Sequence, residues 1–226
     1  MPMKITYIHH SCFLAETESA CLLFDYFEGE IPEIPADKPL YILASHNHHD
    51  HFSKEIFSLK GTYLLSWDIP VESVPEGQTV HFLQPYETWT DGVLSVETFR
   101  STDEGVAFWC TVDGKQLYHA GDLNHWYWEG EEEDWNRDMT AAYRAEVAKM
   151  AGRKADIAFL PVDPRLEQWF YLGADDYMCQ ADADWIFPMH FWGDFSVCRQ
   201  LREHPCSEHY RDRIVTIKEK GQSFSL

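Results

Sequence analysis

Basic residues are scarce in this 226-residue chain: 18 Lys and Arg stand against 38 Asp and Glu, a formal net charge of −20. No Lys/Arg-rich stripe interrupts the acidic excess. Such a surface repels phosphate backbones and anionic lipid heads, so neither nucleic acid nor a membrane is an expected partner. A small-molecule substrate suits it better, since a bound cation can reverse the field locally. Long apolar runs are also missing, which argues against a signal peptide or a membrane span. The six cysteines include no C-x-x-C pair, so a disulfide framework is not expected. These absences together point to a cytoplasmic protein with reduced thiols packed in its core. No internal repeat or flexible linker divides the chain, and residues 1–226 are expected to form a single domain. Nothing in the sequence fixes an oligomeric state.

What the chain does have is apolar and aromatic: 45% hydrophobic residues and nine Trp, enough for a packed core and an aromatic-lined pocket. The first half reads as strands: Lys4–Ile8, Cys12–Glu16, Ala20–Asp25, Leu40–Ala44, Tyr63–Ser66, Thr79–Leu83, Leu94–Phe99, Val106–Val112 and Gln116–His119. Glu28–Pro39 carries three prolines and four acids and reads as a loop. Ser53 is placed to cap a short helix over Lys54–Leu59, and Asp113-Gly114 to turn a hairpin. Trp135, Met139, Ala142, Tyr143, Val147 and Met150 recur at helical spacing, which predicts an amphipathic helix over Asp134–Met150. Further expectations are a strand over Asp156–Leu160, a helix over Ala174–Ala181, a short strand over Trp185–Phe187, a helix over Ser196–Glu203 and a last strand over Arg213–Lys218. The fold class is therefore α/β, with sheets covered by helices.

The densest chemistry follows the apolar run Leu40–Ala44. Ser45-His46-Asn47-His48-His49-Asp50-His51-Phe52 holds four histidines and one aspartate in eight residues. Neutral imidazoles and carboxylates are good ligands for zinc and its transition-series neighbours. A strand that stops here turns His46 and His48 to one side of a cleft and Asp50 and His51 to the other. One cation, or two close together, fits such a loop. The competing reading is a histidine-rich surface loop without metal.

The string H-x-H-x-D-H, as His46, His48, Asp50 and His51, resembles the metallo-β-lactamase superfamily. Asp25 stands where that family places an aspartate supporting the ligand loop. Asp122, in His119-Ala120-Gly121-Asp122, matches its bridging aspartate, and His190, in Phe187-Pro188-Met189-His190, its last histidine ligand. The opening Ile8-His9-His10-Ser11 and the HAGD segment are similar to those of the small ascorbate-phosphate-lactonase-like members. The resemblance implies a four-layer αβ/βα sandwich with the metal site at one edge. It also implies one or two divalent ions: zinc first, with manganese or iron as alternatives.

One expected ligand is missing. Where the family supplies another histidine, this chain has Phe99-Arg100-Ser101-Thr102-Asp103-Glu104-Gly105. Asp103 is the candidate substitute, and an ordinary loop aspartate is the equal alternative. His119, three residues before Asp122, is expected in a supporting rank or in the core rather than on the metal. The half with Asp50, His51, Asp122 and His190 is thus complete by count, and the half with His46 and His48 is deficient or oxygen-rich. Oxygen ligands favour manganese or iron over zinc.

The expected activity is metal-dependent hydrolysis of a small-molecule ester, lactone or phosphoester, with Asp50 and His51 as the catalytic residues. A metal-binding sensor or binding module with little activity is the alternative. Arg165 is a candidate for an anionic substrate group and equally for a structural ion pair. His10 borders the expected cleft either as a substrate contact or as a core histidine. Leu123–Glu129 reads equally as a pocket wall or as packing for the long helix.

Overall fold

The computed structural model describes residues 3–226. In chain order the strands are β1 (Lys4–His9), β2 (Cys12–Glu16), β3 (Cys21–Phe24), β4 (Leu40–Ala44), β5 (Thr62–Ser66), β6 (Val80–Leu83), β7 (Thr88–Thr90), β8 (Leu94–Arg100), β9 (Val106–Val112), β10 (Lys115–His119), β11 (Lys154–Pro161), β12 (Asp182–Met189) and β13 (Ser223–Ser225). The α-helices are α1 (Glu133–Val147), α2 (Leu172–Gln180) and α3 (Ser196–Glu203). Two sheets result, ordered β13-β1-β2-β3-β4-β5-β6 and β12-β11-β10-β9-β8-β7.

Side-chain alternation explains how the sheets stack. Tyr41 and Leu43 of β4 enter the core between the sheets, together with Leu22 and Phe24 of β3. Leu40, Ile42 and Ala44, with Cys21 and Leu23, enter a second apolar cluster on the outer face. All five residues of β4 are buried, as a central parallel strand covered on both faces requires. No α-helix precedes Glu133 among the described residues; the outer cluster is closed by the 3-10 turn Lys54–Ser58, capped by Ser53, and by Ile31, Ile34 and Phe52. Asp113 and Gly114 both take positive φ and join β9 to β10 as the sequence predicts.

Besides the unexpected strand β7 and the 3-10 turn in place of a helix at Lys54–Ser58, three elements differ from expectation. Arg213–Lys218 is not a strand. Arg211–Arg213 make a 3-10 turn, Ile214 forms one isolated bridge to Ile186, and the last strand is β13, paired with β1. Ile214, Val215 and Ile217 are buried, so their apolar pattern reports packing rather than pairing. The strand expected over Trp185–Phe187 runs longer, as β12; Pro188 is tolerated because β12 is an edge strand with an unpaired side. In α1 the buried residues are Asn136, Tyr143, Glu146 and Val147, while Trp135 is 40% exposed. The first turns of α1 overhang a cavity instead of the core, and Trp135 and Met139 line that cavity. No helix among the described residues is long and apolar enough to cross a membrane.

The topology gathers chemistry at one edge. Asp25 follows β3, His46 follows β4, Asp122 follows β10, Asp163 follows β11 and His190 follows β12. These are carboxyl ends of strands, where α/β folds place their ligands. His10, in the turn between β1 and β2, reaches the same edge: His190 N donates to its carbonyl at 3.3 Å.

Candidate metal centre

Asp25 organises the site from below. It is fully buried and accepts three hydrogen bonds: from Ser45 N and Ser45 Oγ at 2.7 Å, and from His51 Nδ1 at 2.7 Å. Burial alone would raise its pKa, but the neighbouring His119, His51 and His46 outweigh it and hold the carboxylate ionised.

Those bonds fix the histidine tautomers. The proton of Ser45 Oγ goes to Asp25, so His46 Nδ1, 2.9 Å away, must donate to that oxygen. Its Nε2 is left as a lone pair, 3.5 Å from Asp122 Oδ2 and 3.0 Å from His48 Nδ1. His51 spends Nδ1 on Asp25 and presents Nε2 at 3.2 Å from Asp122 Oδ1. His190 spends Nδ1 on Asp163 Oδ2 at 2.9 Å and presents Nε2 at 3.3 Å from the same Asp122 Oδ1. Three buried rings are each anchored through Nδ1 and aim Nε2 at one carboxylate, the arrangement by which supporting groups orient histidine ligands.

The predicted ligands divide into two clusters, each with its ligand atoms within 4.8 Å of one another: His10, Asp50, His51 and His190; and His46, His48 and Asp122. Asp122 was expected in the half with His51 and His190. Its Oδ1 does face those rings, but its Oδ2 faces His46, so it stands between the halves. His10 is the residue whose place sequence reasoning missed. It is 1% exposed, its Nε2 lies 3.4 Å from Asp50 Oδ2, and it belongs to the ligand cluster rather than to the substrate wall. The only sequence signal for it is the Ile8-His9-His10-Ser11 pattern. Asp103, exposed in a loop, keeps its Oδ2 3.9 Å from His48 Nδ1, and Glu104 Oε2 lies 3.5 Å from His48 Nε2. Neither joins a cluster. His119 lies in the core: its Nε2 meets the carbonyl of Ser11 at 2.9 Å and its ring stacks on Phe24. His49 points to solvent.

The donor set fits a divalent cation. His10 Nδ1 and Nε2, His51 Nε2 and Asp122 Oδ1 are buried without a hydrogen-bond partner. Buried polar atoms are seldom left so, and the residues that carry them all belong to the two ligand clusters. Electrostatics agree. Burial pushes His10 and His46 down to about 4, which keeps both rings neutral. At His190 burial acts in the same direction, but Asp122 and Asp163 overcome it and push the ring up to about 8. His51 is likewise raised, by Asp122 and Asp25 against burial. Without a cation these two rings take up protons facing Asp122, and a metal would displace them. Strain concentrates at the same place: His10, Asp25, His190 and Trp192 all have positive φ without being glycine.

Above the clusters opens a cavity of about 470 Å³. Asp50, Asp122 and His190 form its floor and Trp126 and Trp128 part of its wall, so Leu123–Glu129 does supply a wall. The same segment also packs inward through Leu123, Asn124 and His125. Arg165 lines the cavity while its Nε and Nη2 hold Asp163, so the expected ion pair exists and the guanidinium still faces the pocket. Cys12 is fully buried and its thiol is pushed up, which removes it as a nucleophile.

The chain is similar to several known proteins. The UPF0173 metal-dependent hydrolase of Desulforamulus reducens is 29% identical over 141 residues, covering 53% of this chain and 62% of that protein, so the match spans less than two thirds of that relative. A similarly named protein of Korarchaeum cryptofilum is 24% identical over 248 residues, covering 99% of this chain and 100% of that one. Among solved structures, Igni18, a metallo hydrolase of Ignicoccus hospitalis, superposes with a TM-score of 0.68 at 15% identity over 100% of this chain and 99% of that one. The metallo-β-lactamase fold protein YhfI of Bacillus subtilis gives 0.62 at 15% identity, covering 100% of both chains. The family model described as β-lactamase superfamily domain matches residues 4–137, more than half of the chain, and on that match this chain belongs to the β-lactamase superfamily, with the metallo-β-lactamase fold.

Proposed function

We propose that this chain is a metal-dependent hydrolase of small molecules, acting on an ester, lactone or phosphoester at the floor of the cavity. The observation that carries this reading is the convergence of His46, His51 and His190 Nε2 on Asp122, each ring anchored through its Nδ1. The ligand set proposed is His46, His48, Asp50, His51, Asp122 and His190, now with His10. One or two divalent ions held there, zinc first and manganese or iron as alternatives, would supply Lewis acidity and a nucleophilic water at neutral pH.

The chain's own residues do the rest. Asp50 reaches the cavity, stays ionised because His10 and His51 outweigh its burial, and is placed to take a proton from the attacking water. His10 Nε2 lies 3.4 Å from Asp50 Oδ2, beside it in the same ligand cluster. Asp163 fixes the ring of His190, and Asp25 that of His51. The half-buried His48, with no histidine in the loop of Asp103, favours the alternative of a metal-binding sensor whose second site is weak.

A panel of lactones, esters and phosphoesters tests the reading, run beside Asp122→Ala and His190→Ala. Metal-dependent turnover that either substitution abolishes is the expected result. Metal binding without turnover on any of them would favour the sensor, and turnover untouched by both substitutions would remove the mechanism.

A further inference from the structure

Four of the nine Trp face one cavity, and two of them are far from buried: Trp135 is 40% exposed and Trp192 46%. Trp126 and Trp128 lie parallel, 5° apart with centroids at 6.1 Å, and Met139 adds a flexible apolar contact. Trp192 carries an additional cost, because its φ of +51° is rarely adopted by a residue with a side chain. Its ring covers His10 at 4.4 Å and meets the Arg165 guanidinium at 4.8 Å. A strained, half-exposed indole over a ligand cluster has little to give the core. It is placed to meet something that enters the cavity.

Charge decides what enters. An indole-walled pocket in an acidic protein suits a quaternary ammonium. Here that role is already filled, since Arg165 lies 5.7 Å from the Trp128 ring and 4.8 Å from that of Trp192. Its Nε and Nη2 are spent on Asp163, which leaves Nη1 outside that pair, and the half-exposed side chain lines the cavity. Flat aromatic faces beside a guanidinium recognise a ring that carries an anion.

We propose that the cavity takes substrates bearing an apolar ring and an anionic group, the ring against the wall of Trp126, Trp135 and Met139 and the anion on Arg165 beneath Trp192. The scissile bond then lies over the floor of Asp50, Asp122 and His190. This rests on the hydrolase reading for the position of that bond, while the binding preference stands without it.

Titration calorimetry on the metal-loaded full chain tests it with four probes: phenylacetate, acetate, phenylacetamide and phenethylammonium. Phenylacetate should bind at least about tenfold tighter than each of the others, since it alone uses both features. Arg165→Gln should bring phenylacetate to the level of phenylacetamide with metal content unchanged, and Arg165→Lys should retain part of the preference. Trp135→Ala, which removes part of the wall under the ring, should weaken phenylacetate and phenylacetamide alike. The proposal is overturned if phenethylammonium binds tightest, if acetate equals phenylacetate, or if Arg165→Gln leaves phenylacetate unchanged because its carboxylate sits on the metal. If the variants fail to fold, the same ranking measured on chelator-treated wild-type protein decides: a preference for phenylacetate that persists without metal supports the proposal, and one that vanishes overturns it. Turnover with the wrong ranking removes only this proposal; the right ranking without turnover on any substrate removes only the hydrolase reading.

Discussion

Asp25→Asn is the smallest change that reaches the metal site without touching a cluster member. Asp25 Oδ1 accepts from Ser45 N, and Oδ2 accepts from Ser45 Oγ and His51 Nδ1. An amide keeps the shape but turns one acceptor into a donor. Placed at Oδ1, the new NH₂ meets the Ser45 N–H head-on. Placed at Oδ2, it meets a hydroxyl that can rotate and a His51 ring that must surrender its Nδ1 proton. The second placement costs less, and it moves the His51 proton to Nε2, the atom aimed at Asp122. In the unsubstituted protein His51 keeps its Nδ1 proton on Asp25 and gives up only the Nε2 proton to a metal, whereas in the variant Nδ1 has no acceptor and the remaining proton stays on the ligand nitrogen. Loss of such a supporting partner costs about 10–100-fold in metal affinity, which is about 1.4–2.8 kcal/mol. A charge-assisted hydrogen bond, at about 1.5–3 kcal/mol, gives the same range independently. Competition against a chelator of known affinity measures the effect. Affinity within about twofold of the unsubstituted protein would refute the tautomer argument.

The remaining predictions concern protons, backbone and the incomplete half of the site. His190 is pushed up to about 8 without metal, from about 6.5 in an unfolded chain. Its contribution, about 2 kcal/mol, is present below about pH 6.5 and is lost as pH rises through about 8. Chelator-treated protein should therefore lose urea resistance between about pH 6.5 and 8.5 while metal affinity rises, and a flat urea midpoint would contradict it. Gly105 has φ +72°, and a Cβ there would lie 1.9 Å from the Ser45 carbonyl and 2.6 Å from His46 Cβ. Gly105→Ala should destabilise by at least about 2 kcal/mol and cut metal uptake, read by thermal melting and metal analysis. Asp103 lies outside both clusters, so Asp103→Asn should leave metal count and affinity unchanged, and loss of one ion would make Asp103 a ligand after all.

Much of the site was legible because it is local. His46, His48, Asp50 and His51 fall within six residues just after an apolar strand, so adjacency in sequence becomes adjacency in space. Asp122 and His190 were readable through a glycine turn and a strand end in the order the family resemblance implies. His10 was not, because its place depends on the β1–β2 turn folding onto the carboxyl ends of other strands. Asp163 stands two residues before Arg165, but its hold on His190 belongs to the pairing of β11 with β12 and has no sequence signal. Periodicity misled twice for one reason. Apolar spacing reports what is covered, and it does not say whether the cover is a paired strand, as at Arg213–Lys218, or a substrate cavity, as at Trp135 and Met139.

The central claim is a cation held between His46, His51, His190 and their carboxylates. Elemental analysis of protein purified without added metal, repeated after reconstitution and on His190→Ala, tests it most directly. One or two transition-metal ions per chain, reduced in the variant, is the predicted result. No bound metal even after reconstitution would contradict it.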